Sequence, residues 1–100
     1  MLNEYIKFTR SVSVYPTDKE TAKAYLGLGL GGEAGEVLNE IKKELRNGED
    51  RSEKVKDELG DVLFYLARLI DTYHLTFDEV IRYNMSKLED RRLHGTLKVR

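Results

Sequence analysis

The segment LGLGLGGEAGEVLNE, residues 26–40, combines five glycines with three glutamates. Its hexapeptide EAGEVL at 33–38 returns as ELGDVL at 58–63, so the same order of glutamate, apolar residue, glycine, acid, valine and leucine occurs twice. Apolar residues spaced by three and four around both copies predict two amphipathic helices. The leucine–glycine alternation at 26–32 is also compatible with a strand, but such a strand would have no partner. We therefore predict a helix there, kinked or loosened at Gly31 and Gly32.

The composition of the chain is that of a small helical protein. One hundred residues, 40% hydrophobic and 35% charged with a single proline, predict one all-α domain over residues 1–100. A net charge of −1 gives no reason to expect nucleic acid as a partner. The absence of cysteine fits a reducing cytoplasm. The longest apolar run, VLFYLARLI at 62–70, is too short to span a membrane, and the N-terminus lacks a signal peptide. We expect a cytoplasmic protein.

Capping signals divide the chain into four predicted helices. Thr17 with Glu20 has the pattern of a capping box before the second helix, and Asn47-Gly48 ends that helix. Asp50 with Glu53 precedes the third helix, Thr76 with Glu79 precedes the fourth, and His94-Gly95 ends the fourth. The predicted helices cover residues 2–12, 18–46, 51–74 and 76–93.

Two acidic pairs, one in each copy of the hexapeptide, are the candidate metal ligands: Glu33 with Glu36, and Glu58 with Asp61. Side chains three residues apart on a helix have Cβ atoms about 5–6 Å apart, so each pair can share a cation. The number of such pairs indicates nothing, because a chain this acidic has about three by chance. The position of the two pairs does indicate a functional role, because they lie along the border of an apolar stripe, whereas ordinary solvated acids would lie opposite it.

The distance of each pair from the turn at Asn47-Gly48 indicates that the pairs meet. The first pair lies roughly 18 Å before the turn and the second roughly 14 Å after it, so an antiparallel hairpin brings them face to face. The stripes beside them are Leu30, Ala34, Val37, Ile41 and Leu45 on one helix, and Val55, Leu59, Val62, Leu66 and Ile70 on the other. Four converging carboxylates repel one another unless a cation is bound. All-oxygen ligands favour Mg²⁺ or Mn²⁺, and the Glu-x-x-His pairs of a di-iron site are missing.

A second apolar face is predicted on the third helix. Gly60, Phe64 and Ala67 lie on the side away from the acids, and Gly35 has the equivalent position on the second helix. A glycine there either lets another backbone approach closely or serves ordinary packing within the chain. Because a chain of this size has little left to cover that face, we expect a homo-oligomer.

The order and spacing of LGLGGEAGEVLNEIKK, DELGDVLFYLARL, NMSKLEDR and HGTL make the chain resemble the MazG-like family of all-α nucleoside triphosphate pyrophosphohydrolases. The resemblance implies a four-helix bundle completed by dimerisation or tetramerisation. It also implies Mg²⁺-dependent cleavage of ribo- or deoxyribonucleoside triphosphates into monophosphate and pyrophosphate. The metal ligands and catalytic residues it implies are Glu33, Glu36, Glu58 and Asp61. The nucleotide-binding residues it implies are Lys54, Asn84, Lys87 and Arg91. One departure is Gly32-Glu33, where many members have two glutamates.

The residues themselves leave some assignments open. Lys87 and Arg91 on one face of the fourth helix suit phosphate binding but can also form surface ion pairs. Tyr65 lies on the same side as the acids and is either a core residue or a platform for a base. No phosphate-binding Gly-Lys-Ser/Thr loop is present, which favours water attack at the α-phosphorus. One carboxylate is the expected base, and we select Glu33 because the loosened Gly31-Gly32 would aim it at the site. The alternative function is a non-catalytic helical dimer that binds metal and a partner.

Overall fold

The computed structural model describes residues 1–16 and 18–98, and over these ranges it contains four α-helices and no strand. The helices are α1 (Leu2–Ser11), α2 (Lys19–Asn47), α3 (Ser52–Thr72) and α4 (Phe77–Leu93). The all-α prediction is therefore confirmed, with helix ends within two residues of those expected. The helical hydrogen-bonding pattern of α2 runs without interruption through Gly31 and Gly32, so these glycines do not break the helix. Packing of α2 along α3 offsets the cost of roughly 1 kcal/mol that each interior glycine imposes.

Side-chain caps fix the starts of two helices. The Asp18 carboxylate accepts a hydrogen bond from the backbone N–H of Thr21 at 3.0 Å and caps α2, one residue later than predicted. Thr17, the predicted cap, lies outside the described residues. The capping box at the start of α4 is confirmed: the Thr76 hydroxyl accepts from the Glu79 N–H, and the Thr76 N–H donates to the Glu79 carboxylate, both at 3.0 Å.

The turn between α2 and α3 is held by Arg51. Its Nε donates to Glu40 at 2.7 Å, its Nη1 donates to Glu49 at 2.9 Å, and its backbone N–H donates to Glu44 at 2.8 Å. Asp50 accepts a hydrogen bond from the Ser52 N–H at 2.9 Å. The predicted cap by Asp50 with Glu53 is not formed, and α3 begins without a side-chain cap. Glu40 is only 7% exposed, and the hydrogen bond from Arg51 lowers the pKa of its carboxyl. Glu40 thus stabilises the turn between α2 and α3.

The core of the described chain lies where α1 crosses α3. Ile6 of α1, Ala67 and Ile70 of α3 and Phe77 at the start of α4 form one buried cluster. Thr9 is fully buried beside them, with its hydroxyl donating to the Ile6 carbonyl at 2.7 Å. Ala67 is therefore covered by α1, and the prediction that it lies on an uncovered second face is wrong. Among the described residues, no atom of another element lies within 4 Å of a Cβ added to Gly35 or Gly60, so no other helix of the chain packs its backbone against either glycine.

A different apolar face is open. We call it the leucine face; its members have exposed fractions of 36–83% and are Ile41, Leu45, Leu59, Leu63 and Leu66. Four of them, all but Leu63, belong to the stripes that were predicted to line the α2–α3 interface. That interface buries Leu26 and half-buries Val37, Val55 and Val62. Phe77 is the one buried residue of α4, and the radius of gyration of 16.4 Å exceeds the roughly 13 Å of a compact chain this long. Within the described ranges, no helix is long and apolar enough to cross a membrane.

Candidate active site

Three carboxylates from two helices converge on one side of the α2–α3 hairpin. Oxygens of Glu33 on α2 and of Glu58 and Asp61 on α3 all lie within 4.8 Å of one another. Glu33 and Glu58 are half-buried and Asp61 is exposed. Glu36, the fourth predicted ligand, is exposed and lies outside this triad, although it is close enough to raise the pKa of both Glu33 and Glu58. The hairpin therefore brings together the two hexapeptide copies as their spacing predicts.

The charge of this cluster is uncompensated. The pKa of Glu33 is raised mainly by burial, and the charges of Asp61 and Glu36 raise it further. The pKa of Glu58 is also raised mainly by burial, and among its charged neighbours Asp61 has the largest effect. In the part of the chain that the structure describes, none of the four carboxylates accepts a hydrogen bond or forms an ion pair. Carboxylates that repel one another and have no protein partner are a donor set suited to a divalent cation.

A tyrosine lies beside the cluster because one glycine makes room for it. A Cβ on Gly29 would lie 2.2 Å from the Tyr65 ring, and this is the closest approach at any glycine of the described chain. The ring of Tyr65 is 6.4 Å from that of Tyr25, which stacks on Tyr15 at 5.8 Å. Burial and then Tyr25 raise the pKa of Tyr65, and Glu33 and Asp61 raise it further. The sequence indicated Tyr65 but not Gly29 or Tyr25, since the Leu-Gly alternation made all its glycines look equivalent.

The predicted nucleotide-binding residues are divided between two helices, with Lys54 on α3 and the other three on α4. Lys54 is exposed one helical turn before Glu58, and Asn84 and Lys87 are exposed on α4. Arg91 is half-buried, and its Nη1 is enclosed without a hydrogen-bond partner among the described residues. The extensive helix contacts are those of α3 with α2 and with α1, so α4 does not carry its basic face onto the hairpin. One chain thus assembles the acidic half of the predicted site alone.

A helical hairpin with converging, unpartnered carboxylates defines an all-α protein with a candidate divalent-cation site. Residues 20–96 match the MazG nucleotide pyrophosphohydrolase domain, and the chain belongs to this family. It is also similar to the Gene 37 protein of Mycobacterium phage L5, with 32% identity over 95 residues that cover 86% of this chain and 83% of that protein. No solved structure matches the chain. The resemblance derived from the sequence is confirmed, and at the level of the family the protein is a hydrolase of the pyrophosphohydrolase type.

Proposed function

We propose that the protein hydrolyses ribo- or deoxyribonucleoside triphosphates to the monophosphate and pyrophosphate, with Mg²⁺ as cofactor. The observation that carries the proposal is the triad of Glu33, Glu58 and Asp61 oxygens within 4.8 Å, contributed by both hexapeptide copies. Membership of the MazG family supports the same reaction type. Because its substrates are cellular nucleotides, we assign it a housekeeping role in the cytoplasmic nucleotide pool.

The donor set fits the cofactor. Mg²⁺ takes carboxylate oxygens and retains several waters, so three carboxylates with Glu36 beside them are sufficient ligands. When bound, the cation supplies charge neutralisation for the phosphates and lowers the pKa of a bound water. Mn²⁺ has similar ligand preferences and is the expected substitute.

The residues of the chain have separate roles in this proposal. One carboxylate of the cluster, Glu33 by preference, is the general base that accepts the proton of the attacking water. Lys54 lies one turn from Glu58 and is suited to hold a phosphate. Asn84, Lys87 and Arg91 serve the same purpose from α4. Since α4 leaves the hairpin after Phe77, they reach the phosphates in an oligomer.

The proposed reaction breaks the bond between the α- and β-phosphates. Nucleophilic water attacks the α-phosphorus, the oxygen bridging to the β-phosphorus takes the electron pair, and pyrophosphate departs. A P-loop would hold the β- and γ-phosphates with backbone N–H groups and favour release of orthophosphate. The glycines of this chain precede glutamates instead, and no Gly-Lys-Ser/Thr follows them.

A second candidate function is a non-catalytic helical oligomer that binds metal and presents a surface to a partner. The open leucine face favours it, because large apolar side chains left exposed at helical spacing on α2 and α3 are typical of an interaction site. An oligomeric enzyme uses the same face, so the face alone does not discriminate between the two functions.

The discriminating experiment is a turnover assay over all ribo- and deoxyribonucleoside triphosphates with Mg²⁺. We expect pyrophosphate release from at least one of them. Glu58→Gln should then lose more than the roughly 10–100-fold that removal of an outer-shell partner costs a metal site. Glu53→Gln is the matched control, because Glu53 lies on the same helix and pairs only with exposed Lys56. Metal binding without turnover of any nucleotide would support the non-catalytic function.

A further inference from the structure

A pocket lies where the segment between α1 and α2 meets the end of α3. It has a volume of about 420 Å³, within the range of small-molecule sites. Its lining includes three permanent cations, Arg10, Lys19 and Arg68, together with His74, and it contains no carboxylate. In a chain with 18 acids among 100 residues, a cavity whose permanently charged lining residues are all cations is a distinct electrostatic environment.

Arg68 is the buried centre of this pocket. Its side chain is 9% exposed, with Nε donating to the Tyr15 hydroxyl at 3.0 Å. Its Nη1 contacts the Thr9 hydroxyl at 3.4 Å and Asp71 at 2.9 Å. Nη2 has no hydrogen-bond partner among the described residues and is not enclosed by protein atoms. Arg68 is one of the residues that line the cavity, so its guanidinium forms part of the cavity wall.

Two neighbours add donors of the same kind. The oxygen of Tyr15 accepts from Arg68, which leaves its own O–H free to donate into the cavity. Lys19 lines the cavity and forms no ion pair within the ranges the structure describes. Asp71 compensates one charge of the pair Arg10 and Arg68, so the group keeps a net charge of about +2.

We propose that this pocket binds the dianionic phosphoryl group of a small molecule. Two guanidiniums, an ammonium and hydroxyl groups, with no carboxylate in the lining and a net positive charge, match a phosphoryl dianion, whose oxygens are mainly acceptors. The site is separate from the acidic cluster, since Arg68 follows Asp61 by seven residues, about 10 Å along α3. The ligand is either inorganic phosphate or a phosphomonoester such as a nucleoside monophosphate, and the two are distinguished by titration.

The test is a titration of the full chain in EDTA, monitored by ¹H–¹⁵N correlation spectra at constant ionic strength. Without divalent cations the acidic cluster repels phosphate, so saturable shifts near Tyr15, Lys19 and Thr72 report this pocket. We expect them with inorganic phosphate or adenosine monophosphate. Tighter binding of the latter identifies a phosphomonoester site, and equal affinity identifies a phosphate site. The absence of saturable shifts with either ligand would overturn the proposal.

Variants localise the binding. Lys19→Glu should weaken it about tenfold, because charge reversal acts directly on a dianion at short range. Lys42→Glu, an exposed change on the same helix, should leave the affinity unchanged. Arg68→Lys removes Nη2 and should also weaken binding. If Arg68→Lys loosens the packing of α1, the Lys19→Glu variant still tests the proposal. Binding insensitive to Lys19→Glu would contradict the assignment. Glu58→Gln should abolish turnover but not this binding, so failure of either proposal is visible separately.

Discussion

The ring of Tyr65 lies directly across Gly29, so close that a Cβ at residue 29 would be 2.2 Å from the ring. This contact joins α2 to α3 immediately beside the acidic cluster. It also gives one glycine of the repeated Leu-Gly segment a specific reason to be a glycine.

Replacing Gly29 by alanine should destabilise the protein by about 1–2 kcal/mol, because overpacking against a ring costs more than helix propensity returns. Gly31→Ala is the matched control in the same helix; nothing lies within 4 Å of its added Cβ, and it should stabilise by about 0.5–1 kcal/mol. Urea unfolding measures both. In a Tyr65→Ala background, Gly29→Ala should become stabilising. Equal stability of Gly29→Ala and Gly31→Ala in the wild-type background would show that the contact is absent.

Removing one charge from the acidic cluster should raise the melting temperature in EDTA. The pKa of Glu58 is raised, so its ionised form is disfavoured in the folded state, and the cost is present above that pKa and disappears as the pH falls through it. Glu58→Gln removes the cost at neutral pH. Mg²⁺ should raise the melting temperature of the wild type more than that of Glu58→Gln, because it stabilises only the state that binds it. Identical Mg²⁺ responses in a thermal melt would contradict the metal assignment.

The pairing of Asp71 with two arginines should make stability depend on acid pH. Hydrogen bonds from Arg10 and then Arg68 lower the pKa of Asp71 from 3.8 to about 2. For a lowered carboxyl pKa, the stabilisation is present above 3.8 and is lost as the pH falls towards 2, amounting to at most about 2 kcal/mol. Asp71→Asn should therefore be less stable than the wild type at pH 7, with the difference vanishing near pH 2.

Urea midpoints measured across this pH range test that expectation. Asp78→Asn is the control, because the exposed Asp78–Arg82 pair at 2.7 Å should contribute less than about 1 kcal/mol. A constant difference between Asp71→Asn and the wild type from pH 7 to pH 2 would exclude the ionic origin of the effect.

The open leucine face should be buried in an oligomer. We expect light scattering to give a multiple of 11.6 kDa for the wild type. Leu63→Asp should lower that mass, since it places a charge in the middle of the face. Leu28→Asp is the control, because Leu28 is 80% exposed but lies on another side of α2. A wild-type particle of 11.6 kDa would refute the oligomer.

Much of the architecture could be predicted because it depends on local signals. Helical periodicity, the Thr76–Glu79 capping box and the Gly48 cap, with a φ of 65°, each act within a few residues. The meeting of Glu33 with Glu58 and Asp61 followed from counting residues on either side of a turn. These parts of the fold and site require no knowledge of distant packing.

The features that could not be predicted depend on contacts between distant segments. Ala67 looked uncovered because nothing in its own helix indicates that α1 packs on it. The pairing of Glu40 with Arg51 joins residues eleven positions apart across a turn, and neither residue alone indicates it. The direction of α4 depends on His74, which has a left-handed φ of 59° that residue type does not foretell. That direction determines where Lys87 and Arg91 lie.

The most direct measurement of the central claim is the fate of the oxygen from water. Hydrolysis of a substrate triphosphate in ¹⁸O-labelled water, with Mg²⁺, is followed by mass spectrometry of both products. Attack at the α-phosphorus predicts that the label enters the nucleoside monophosphate and that pyrophosphate stays unlabelled. Label in pyrophosphate, or orthophosphate as the first product, would contradict the proposed reaction.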